Sequence, residues 1–207
     1  MDIFSRYKVV IENTDAPVVL EIGAAEGEDT LCYVQALLDL KRPFTYIAFE
    51  PDPRNILKLE ASPVREHFQL CGYALGDHGG EAPWRASNHP YSGSVKEPRE
   101  HLTLYRHITF SEPTTVPMER LDTIWLPKVD WIWCDVQGAE DLVIAGAQAT
   151  LAKTRFFYTE YLECEAYQGQ IGRDEIHRRL PGNWVIAEDY RSWSQGGDCL
   201  FERLTSP

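Results

Sequence analysis

The sequence has few basic residues and no long hydrophobic run. Its 207 residues include 20 lysines and arginines against 32 aspartates and glutamates, giving a formal net charge of −12. Nucleic acids are repelled on average by such a chain, because their binding depends on neutralising phosphates. No stretch reaches the roughly 20 apolar residues of a membrane helix, and residues 1–13 do not resemble a signal peptide. We therefore expect a cytoplasmic protein that binds neither nucleic acid nor membrane.

Cysteine is also sparse, and its spacing excludes common zinc and disulfide frameworks. There is no C-x-x-C pair, and the five cysteines are scattered at Cys32, Cys71, Cys134, Cys164 and Cys199. Isolated thiols of this kind are typical of a reducing compartment. The hydrophobic content of 43% is nevertheless sufficient for a packed core, and the length suits one domain over residues 1–207.

Short apolar runs alternate with amphipathic segments along the chain. The runs predict strands at 18–22, 46–50, 68–75, 129–136, 156–161, 184–190 and 199–204. Helices are expected at the start of the chain, after a cap at Asp29 or Thr30, after Asp52, over 139–151 and over 174–180. This alternation predicts an α/β fold with a doubly wound, mostly parallel seven-stranded sheet and an antiparallel edge strand. The irregular segment 78–115, with an extra strand near 104–110, predicts a functional insertion.

The strongest local signal is the turn from Glu21 to Gly27, between the first strand and its helix. Gly23 permits a sharp turn, while Ala25 and Gly27 leave room for a ligand close to the backbone. The turn lacks the later glycines of the dinucleotide motif G-x-G-x-x-G. Its carboxylates would repel a pyrophosphate but attract a cationic ligand such as S-adenosylmethionine. A turn without any ligand remains the alternative.

Two further carboxylates follow expected strands. Glu50 ends the second strand, where a carboxylate can accept both ribose hydroxyls of a nucleoside, and Asp135 ends the run 129–134 at the ligand-binding edge of such sheets. The alternatives are that Glu50 pairs with Arg54 at the surface and that Asp135 only caps the next turn. Glu140 has a structural explanation, because a negative charge is favoured in the first turn of a helix.

The chain resembles the FkbM-type methyltransferases over residues 18–162. The similar segments, in order, are VLEIGAAEGEDTL, YIAFEPDP, YALGD, ERLDTI and WCDVQGAEDLVIAGAQATL. The resemblance implies a Rossmann-like class I methyltransferase fold, the cofactor S-adenosylmethionine, and O-methylation of a hydroxyl on a sugar or polyketide-like molecule. It also implies contacts to the methionine end from Glu21, Gly23, Ala25 and Thr30, to the ribose from Glu50, to the adenine from Ala74 and Leu75, and near the methyl group from Asp135.

Methyl transfer to a hydroxyl requires alignment of the acceptor and removal of its proton. Asp135 is the expected base or a metal ligand, and Glu160 is a candidate to join it. Oxygen ligands of this kind suit a divalent metal, although no ligand set is assigned. His101 and His107 are weaker candidates for the base.

The insertion 78–115 is the expected binding region for a small-molecule or glycan acceptor. The candidate acceptor residues are Trp84, His89, Tyr91, Ser92 and Ser94. Two other classes remain open, a nicotinamide-dependent oxidoreductase and a non-catalytic nucleoside-binding module, and the oligomeric state is not predicted.

Overall fold

Strands and helices alternate in the computed structural model, which describes residues 1–193 and 195–204. The strands are β1 (Val18–Ile22), β2 (Thr45–Phe49), β3 (Gln69–Cys71), β4 (Ala74–Leu75), β5 (Gly80–Trp84), β6 (Thr114–Glu119), β7 (Val129–Cys134), β8 (Thr154–Leu162), β9 (Trp184–Trp193) and β10 (Gly196–Arg203). The helices are α1 (Ile3–Glu12), α2 (Glu28–Asp39), α3 (Pro53–Glu60), α4 (His101–Leu104), α5 (Glu140–Gly146), α6 (Gln148–Leu151) and α7 (Arg173–Arg179).

The main sheet has the strand order β3-β2-β1-β7-β8-β10-β9. Strand β1 is parallel to both neighbours, so Leu20 pairs with Ile47 on one side and Ile132 on the other. Strand β10 runs antiparallel to β8 and to the edge strand β9. The doubly wound, mostly parallel seven-stranded sheet with an antiparallel edge is therefore confirmed. The strand order reverses between β1 and β7, which places a crevice at their carboxyl ends.

Helices bury both faces of the sheet. Leu20 packs in a cluster with Val143 of α5 and Ile176 of α7. The neighbouring Val19 points to the opposite face and packs in a second cluster, which contains Tyr7 of α1. Because both faces are covered, the central strands read as continuous apolar runs instead of alternating ones.

The expected strand over 68–75 is two strands in different sheets. Strand β3 joins the main sheet, whereas β4 pairs with β6 in a three-stranded sheet of order β4-β6-β5. The strand expected near 104–110 is not formed. Tyr105 instead closes a helical turn by donating its N–H to the carbonyl of His101 at 2.9 Å, and Phe110 contributes only an isolated bridge to Ser87.

Two helix boundaries also differ from the prediction. The cap of α2 is Gly27, whose carbonyl accepts from Leu31 N–H at 3.0 Å. Asp29 lies within the first turn, and the Thr30 hydroxyl donates to Glu21 Oε2 at 2.6 Å. The helix expected over 139–151 is interrupted at Ala147, with φ −123°, and so forms α5 and α6. The cap at Asp52 is as expected, with its Oδ1 accepting from Arg54 N–H at 2.9 Å.

No helix in the described part of the chain combines the length and the apolar character that crossing a bilayer requires. The thiols of Cys32, Cys71, Cys134, Cys164 and Cys199 are free. The cytoplasmic location that we inferred from the cysteine pattern stays a prediction.

The packing of β1 leads to a test of stability. Leu20 is fully buried, whereas Leu57 on α3 is 72% exposed. Leu20→Ala should lower the free energy of unfolding by about 2–5 kcal/mol, because it leaves a cavity in a close-packed core. The matched variant Leu57→Ala should change it by less than about 0.5 kcal/mol. Urea unfolding followed by circular dichroism measures both, and equal losses would contradict this core.

Candidate active site

A cavity lies where the strand order reverses, at the carboxyl ends of β1, β2 and β7. It encloses about 850 Å³, including its open mouth, which is within the range of small-molecule and cofactor pockets. The wall is formed by the β1–α2 turn, the end of β2, the β7–α5 turn and the segment 84–95. This is the position at which doubly wound folds bind ligands.

The β1–α2 turn brings backbone directly to the cavity wall. Gly23 has φ +90°, and a Cβ at this position would lie 1.9 Å from the carbonyl oxygen of Asp135. The ends of β1 and β7 can therefore approach this closely only with glycine here. Ala25 also has a positive φ of +46° and lines the wall. The structure thus brings Gly23, Ala25 and Asp135 together, as the sequence predicts.

Glu21 lies beneath this turn and is 2% exposed. Its Oε2 accepts from the hydroxyls of Thr30 at 2.6 Å and Tyr46 at 2.9 Å, and burial raises the pKa of Glu21 to about 8. The structure does not bring Glu21, Gly27 or Thr30 to the cavity wall. Glu21 and Thr30 bond to each other beneath the turn, and Gly27 caps α2. No sequence pattern marks Tyr46, because its hydroxyl meets Glu21 only after β1 and β2 pair.

Glu50 faces the cavity from the end of β2. Its Oε2 accepts from Ala25 N–H and its Oε1 from Asp52 N–H, both at 2.8 Å. Arg54 pairs with Asp52, at 2.6 Å, and not with Glu50. Burial raises the pKa of Glu50 to about 7. Each carboxylate oxygen retains a lone pair for a further donor, so Glu50 can bind hydroxyl groups in the cavity.

An apolar wall adjoins Glu50. It includes the predicted residues Ala74 and Leu75 together with Phe49, Tyr73 and Trp84. The rings of Phe49 and Tyr73 are 5.8 Å apart between centroids. A flat aromatic ligand such as a nucleobase suits this surface.

Asp135 lies in the wall between β7 and α5, together with Gln137. Its Oδ1 accepts from Gln137 Nε2 at 2.8 Å, and the same amide lies 3.3 Å from Glu160 Oε2. Burial raises the pKa of Asp135. Burial, followed by the neighbouring Asp135, raises the pKa of Glu160 to about 9. The first turn of α2 adds Asp29 to the wall, so this part of the cavity is lined by acidic side chains.

The segment 84–95 covers one side of the cavity, but mostly through residues that we did not predict. Of the five expected acceptor residues, Trp84 and Tyr91 line the wall, whereas His89, Ser92 and Ser94 do not. Ser94 donates its hydroxyl to the Gln137 carbonyl at 2.8 Å, and the Ser92 carbonyl accepts from the Tyr167 hydroxyl at 2.9 Å. His89 packs against the ring of Tyr91. The lining residues of this segment are Trp84, Pro90, Tyr91, Gly93 and Val95.

The remaining candidates lie outside the wall. His101 is buried against the rings of Tyr105, Phe110 and Tyr167, and burial lowers its pKa. His107 is exposed. Glu140 is in the first turn of α5, as expected, where its Oε1 accepts from Gly138 N–H at 3.2 Å.

Among the described residues, no group of three or more His, Cys, Asp or Glu side chains is arranged to hold a metal ion. The ligand set of a divalent metal therefore stays unassigned.

Comparisons with known proteins give a family match. Residues 21–193 match the family model described as the methyltransferase FkbM domain. The curated 2-O-methyltransferase NoeI of Sinorhizobium fredii is 36% identical over 192 residues, which cover 86% of this chain and 76% of that protein. These matches favour a methyltransferase over the nicotinamide-dependent oxidoreductase.

Solved structures share the fold. The FkbM methyltransferase of Methylobacillus flagellatus superposes with a TM-score of 0.57 at 14% identity, over 91% of this chain and 44% of that one. This chain therefore spans less than half the length of that protein. An rRNA methylase of Streptococcus thermophilus gives a TM-score of 0.53 at 9% identity, over 99% of this chain and 98% of that one. At these identities the likeness shows the fold alone.

The buried Glu21 leads to a prediction about pH. Its pKa is about 8 in the fold and 4.5 without burial, so the folded state holds the proton more tightly. This contribution to stability is complete below about pH 4.5 and is lost as the pH rises through about 8. Relative to Glu21→Gln, the wild type should lose up to about 1.4 kcal/mol per pH unit within this window.

Urea unfolding at several pH values measures this difference. Glu66→Gln, at an exposed turn, is the control and should retain the wild-type slope. Identical pH slopes for the wild type and Glu21→Gln would contradict the assignment.

Proposed function

Because the chain belongs to the FkbM family of methyltransferases, we propose that it transfers the methyl group of S-adenosylmethionine to a hydroxyl of a sugar or polyketide-like small molecule. The observation that carries this proposal is the cavity at the strand-order reversal, with Glu50 and Asp135 both in its wall. The 36% identity to a 2-O-methyltransferase supports oxygen as the methylated atom.

The residues of the cavity suit S-adenosylmethionine. The apolar wall next to Glu50 fits an adenine, and the Glu50 carboxylate fits the ribose hydroxyls. Asp135 and Asp29 supply negative charge for the sulfonium and ammonium groups. The first N–H groups of α2 have no partner within the helix and suit the methionine carboxylate.

Asp135 is our candidate for the base. When bound, the cofactor supplies a methyl group already activated by the positive sulfur. The chain has to orient the acceptor and receive its proton, since the C–O bond forms as the C–S bond breaks. Asp135 lines the cavity, and the raised pKa of its carboxyl makes it a stronger proton acceptor than an ordinary aspartate.

The proposed acceptor is a sugar or glycan hydroxyl and not a nucleic acid. The net charge of −12 opposes binding to phosphates, and the fold shared with rRNA methylases says nothing about the substrate. We propose that the segment 78–115 contributes to acceptor binding through Tyr91, which reaches the wall and is 36% exposed. A cytoplasmic location is part of the same proposal.

Binding of the cofactor is the first test. Isothermal titration calorimetry should show S-adenosylmethionine binding with clear preference over NAD⁺ and NADH. Glu50→Gln should weaken S-adenosylmethionine and S-adenosylhomocysteine alike by about tenfold, because both ligands share the ribose and a hydrogen bond to a charged group contributes about 1.5–3 kcal/mol. Glu12→Gln, at the exposed end of α1, is the control.

The proposal would be overturned if the folded wild-type protein did not bind S-adenosylmethionine at millimolar concentration. Tighter binding of NAD⁺ or NADH would favour the oxidoreductase.

Turnover is the second test. Wild-type protein, S-adenosylmethionine and a panel of monosaccharides, oligosaccharides and polyketide alcohols are incubated, and mass spectrometry detects methylated products. Asp135→Asn should lower turnover at saturating cofactor by about 100-fold or more, the usual contribution of a general base. Asp39→Asn, at the end of α2, should retain it.

Unchanged turnover in Asp135→Asn would remove Asp135 from the mechanism. Cofactor binding without product from any acceptor would favour the non-catalytic module.

A further inference from the structure

The side chain of Gln137 connects the cavity wall to three other parts of the fold. Its Nε2 lies 2.8 Å from Asp135 Oδ1 and 3.3 Å from Glu160 Oε2, and its Oε1 lies 3.1 Å from the Tyr167 hydroxyl. Both carboxyl groups accept from Nε2, and this fixes the orientation of the amide. The Tyr167 hydroxyl has a single proton, which is shared between Gln137 Oε1 and the nearer Ser92 carbonyl. One neutral amide therefore donates hydrogen bonds to two carboxyl groups.

The backbone of Gln137 is also constrained. Its φ is +52°, a left-handed conformation that is uncommon for residues other than glycine. Its carbonyl accepts from the Ser94 hydroxyl at 2.8 Å, which ties the β7–α5 turn to the segment covering the cavity. Such conformations persist where surrounding contacts fix them, often at functional sites.

The charged groups that act most strongly on Asp135 and Glu160 are all acidic. They are Asp29 on α2, Glu140 on α5 and Asp198 on β10, and phenols of Tyr105, Tyr158 and Tyr167 lie nearby. The ammonium group of Lys96 acts on Glu140 and pairs with Asp141 at 2.6 Å.

Strand pairing brings like charges together at this position. Glu160 lies directly opposite Asp198 across β8 and β10, and like charges so placed destabilise a sheet. On the other side, Asp135 and Glu160 follow the paired residues Cys134 and Thr159 of β7 and β8. The Gln137 amide donates to both neighbouring carboxyl groups and so stabilises their close approach.

We propose that Gln137 is a positioning residue for methyl transfer, whose amide orients the Asp135 carboxylate in the cavity wall and stabilises its ionised form more than that of Glu160. This inference rests on the proposed function. The distances agree with it, since the bond to Asp135 is the shorter one. The electrostatics agree with this assignment. Burial raises the pKa of both carboxyls, that of Glu160 to about 9, but the side chain and the backbone of Gln137 both oppose this shift at Asp135, whereas only the side chain does so at Glu160.

Loss of the amide should therefore raise the pKa of Asp135 further and increase its protonated fraction. A protonated Asp135 no longer attracts a sulfonium. S-adenosylmethionine carries that positive charge, and S-adenosylhomocysteine has a neutral sulfur but the same adenosine, ammonium and carboxylate groups. Titration of Glu50 should affect both affinities equally, because both ligands have the same ribose. The ratio of the two affinities therefore reports the charge at Asp135 alone.

The test uses Gln137→Asn, because asparagine tolerates a left-handed backbone but is one methylene too short for the bond to Asp135. Calorimetry compares both ligands near pH 7 and near pH 9. Near pH 7 the variant should bind S-adenosylmethionine about tenfold more weakly, as expected for loss of a charge-assisted contact, and S-adenosylhomocysteine within about twofold. The loss should be smaller near pH 9 than near pH 7, because a larger fraction of Asp135 is ionised at the higher pH.

Two further variants complete the design. Gln137→Met keeps the length without the amide and should give the same shift, which also covers the case in which the asparagine variant does not fold. Gln35→Asn removes a comparable amide bond at the surface, where Gln35 Nε2 donates to Asp39 Oδ1 at 3.1 Å, and should change neither affinity.

An unchanged ratio of the two affinities, or an equal loss at both pH values, would overturn the role of Gln137. Failure of the wild type to bind S-adenosylmethionine would instead overturn the proposed function, so the two failures are distinguishable.

Discussion

The close approach of β1 and β7 at their carboxyl ends is the constraint on which the site depends. Gly23 lies so near the Asp135 carbonyl that a side chain would come within 1.9 Å of it. This contact places the β1–α2 turn beside the β7–α5 turn, and Glu50 then joins them through its bond to Ala25 N–H. Three strand ends are thus fixed relative to one another before any ligand binds, which is the preorganisation that a positioning enzyme needs.

Several carboxyl groups in and around the site are withdrawn from solvent. Glu21, Glu50 and Glu140 are each almost fully buried, and burying a charged group is costly without compensating partners. Hydroxyls and backbone N–H groups donate to Glu21 and Glu50. Glu140 accepts from Gly138 N–H and is also affected by the Lys96 ammonium. Of these three, Glu50 lines the cavity, and Asp29 and Asp135 line it as well. This acidic wall suits a cationic cofactor better than a pyrophosphate.

Sequence alone could predict the sheet and the position of Glu50 and Asp135 at its ligand-binding edge, because each of these signals is local. Both carboxylates follow apolar strands, and parallel strands end at the same edge of a sheet. The bond from Tyr46 to Glu21 and the contacts of Gln137 with Tyr167 and Ser94 join residues far apart in the chain, so no spacing pattern marks them. Ser92 and Ser94 resembled ligand-binding residues, but in the fold one carbonyl and one hydroxyl are used to anchor the covering segment. A run such as 68–75 does not reveal that its halves pair with different sheets.

A crystal structure with S-adenosylmethionine tests the central claim most directly. The account predicts the ribose hydroxyls on the Glu50 carboxylate, the adenine against Tyr73 and Leu75, and the sulfonium on the side of the cavity where Asp135 lies. A cofactor bound elsewhere, or bound here with its sulfonium turned away from Asp135, would contradict it.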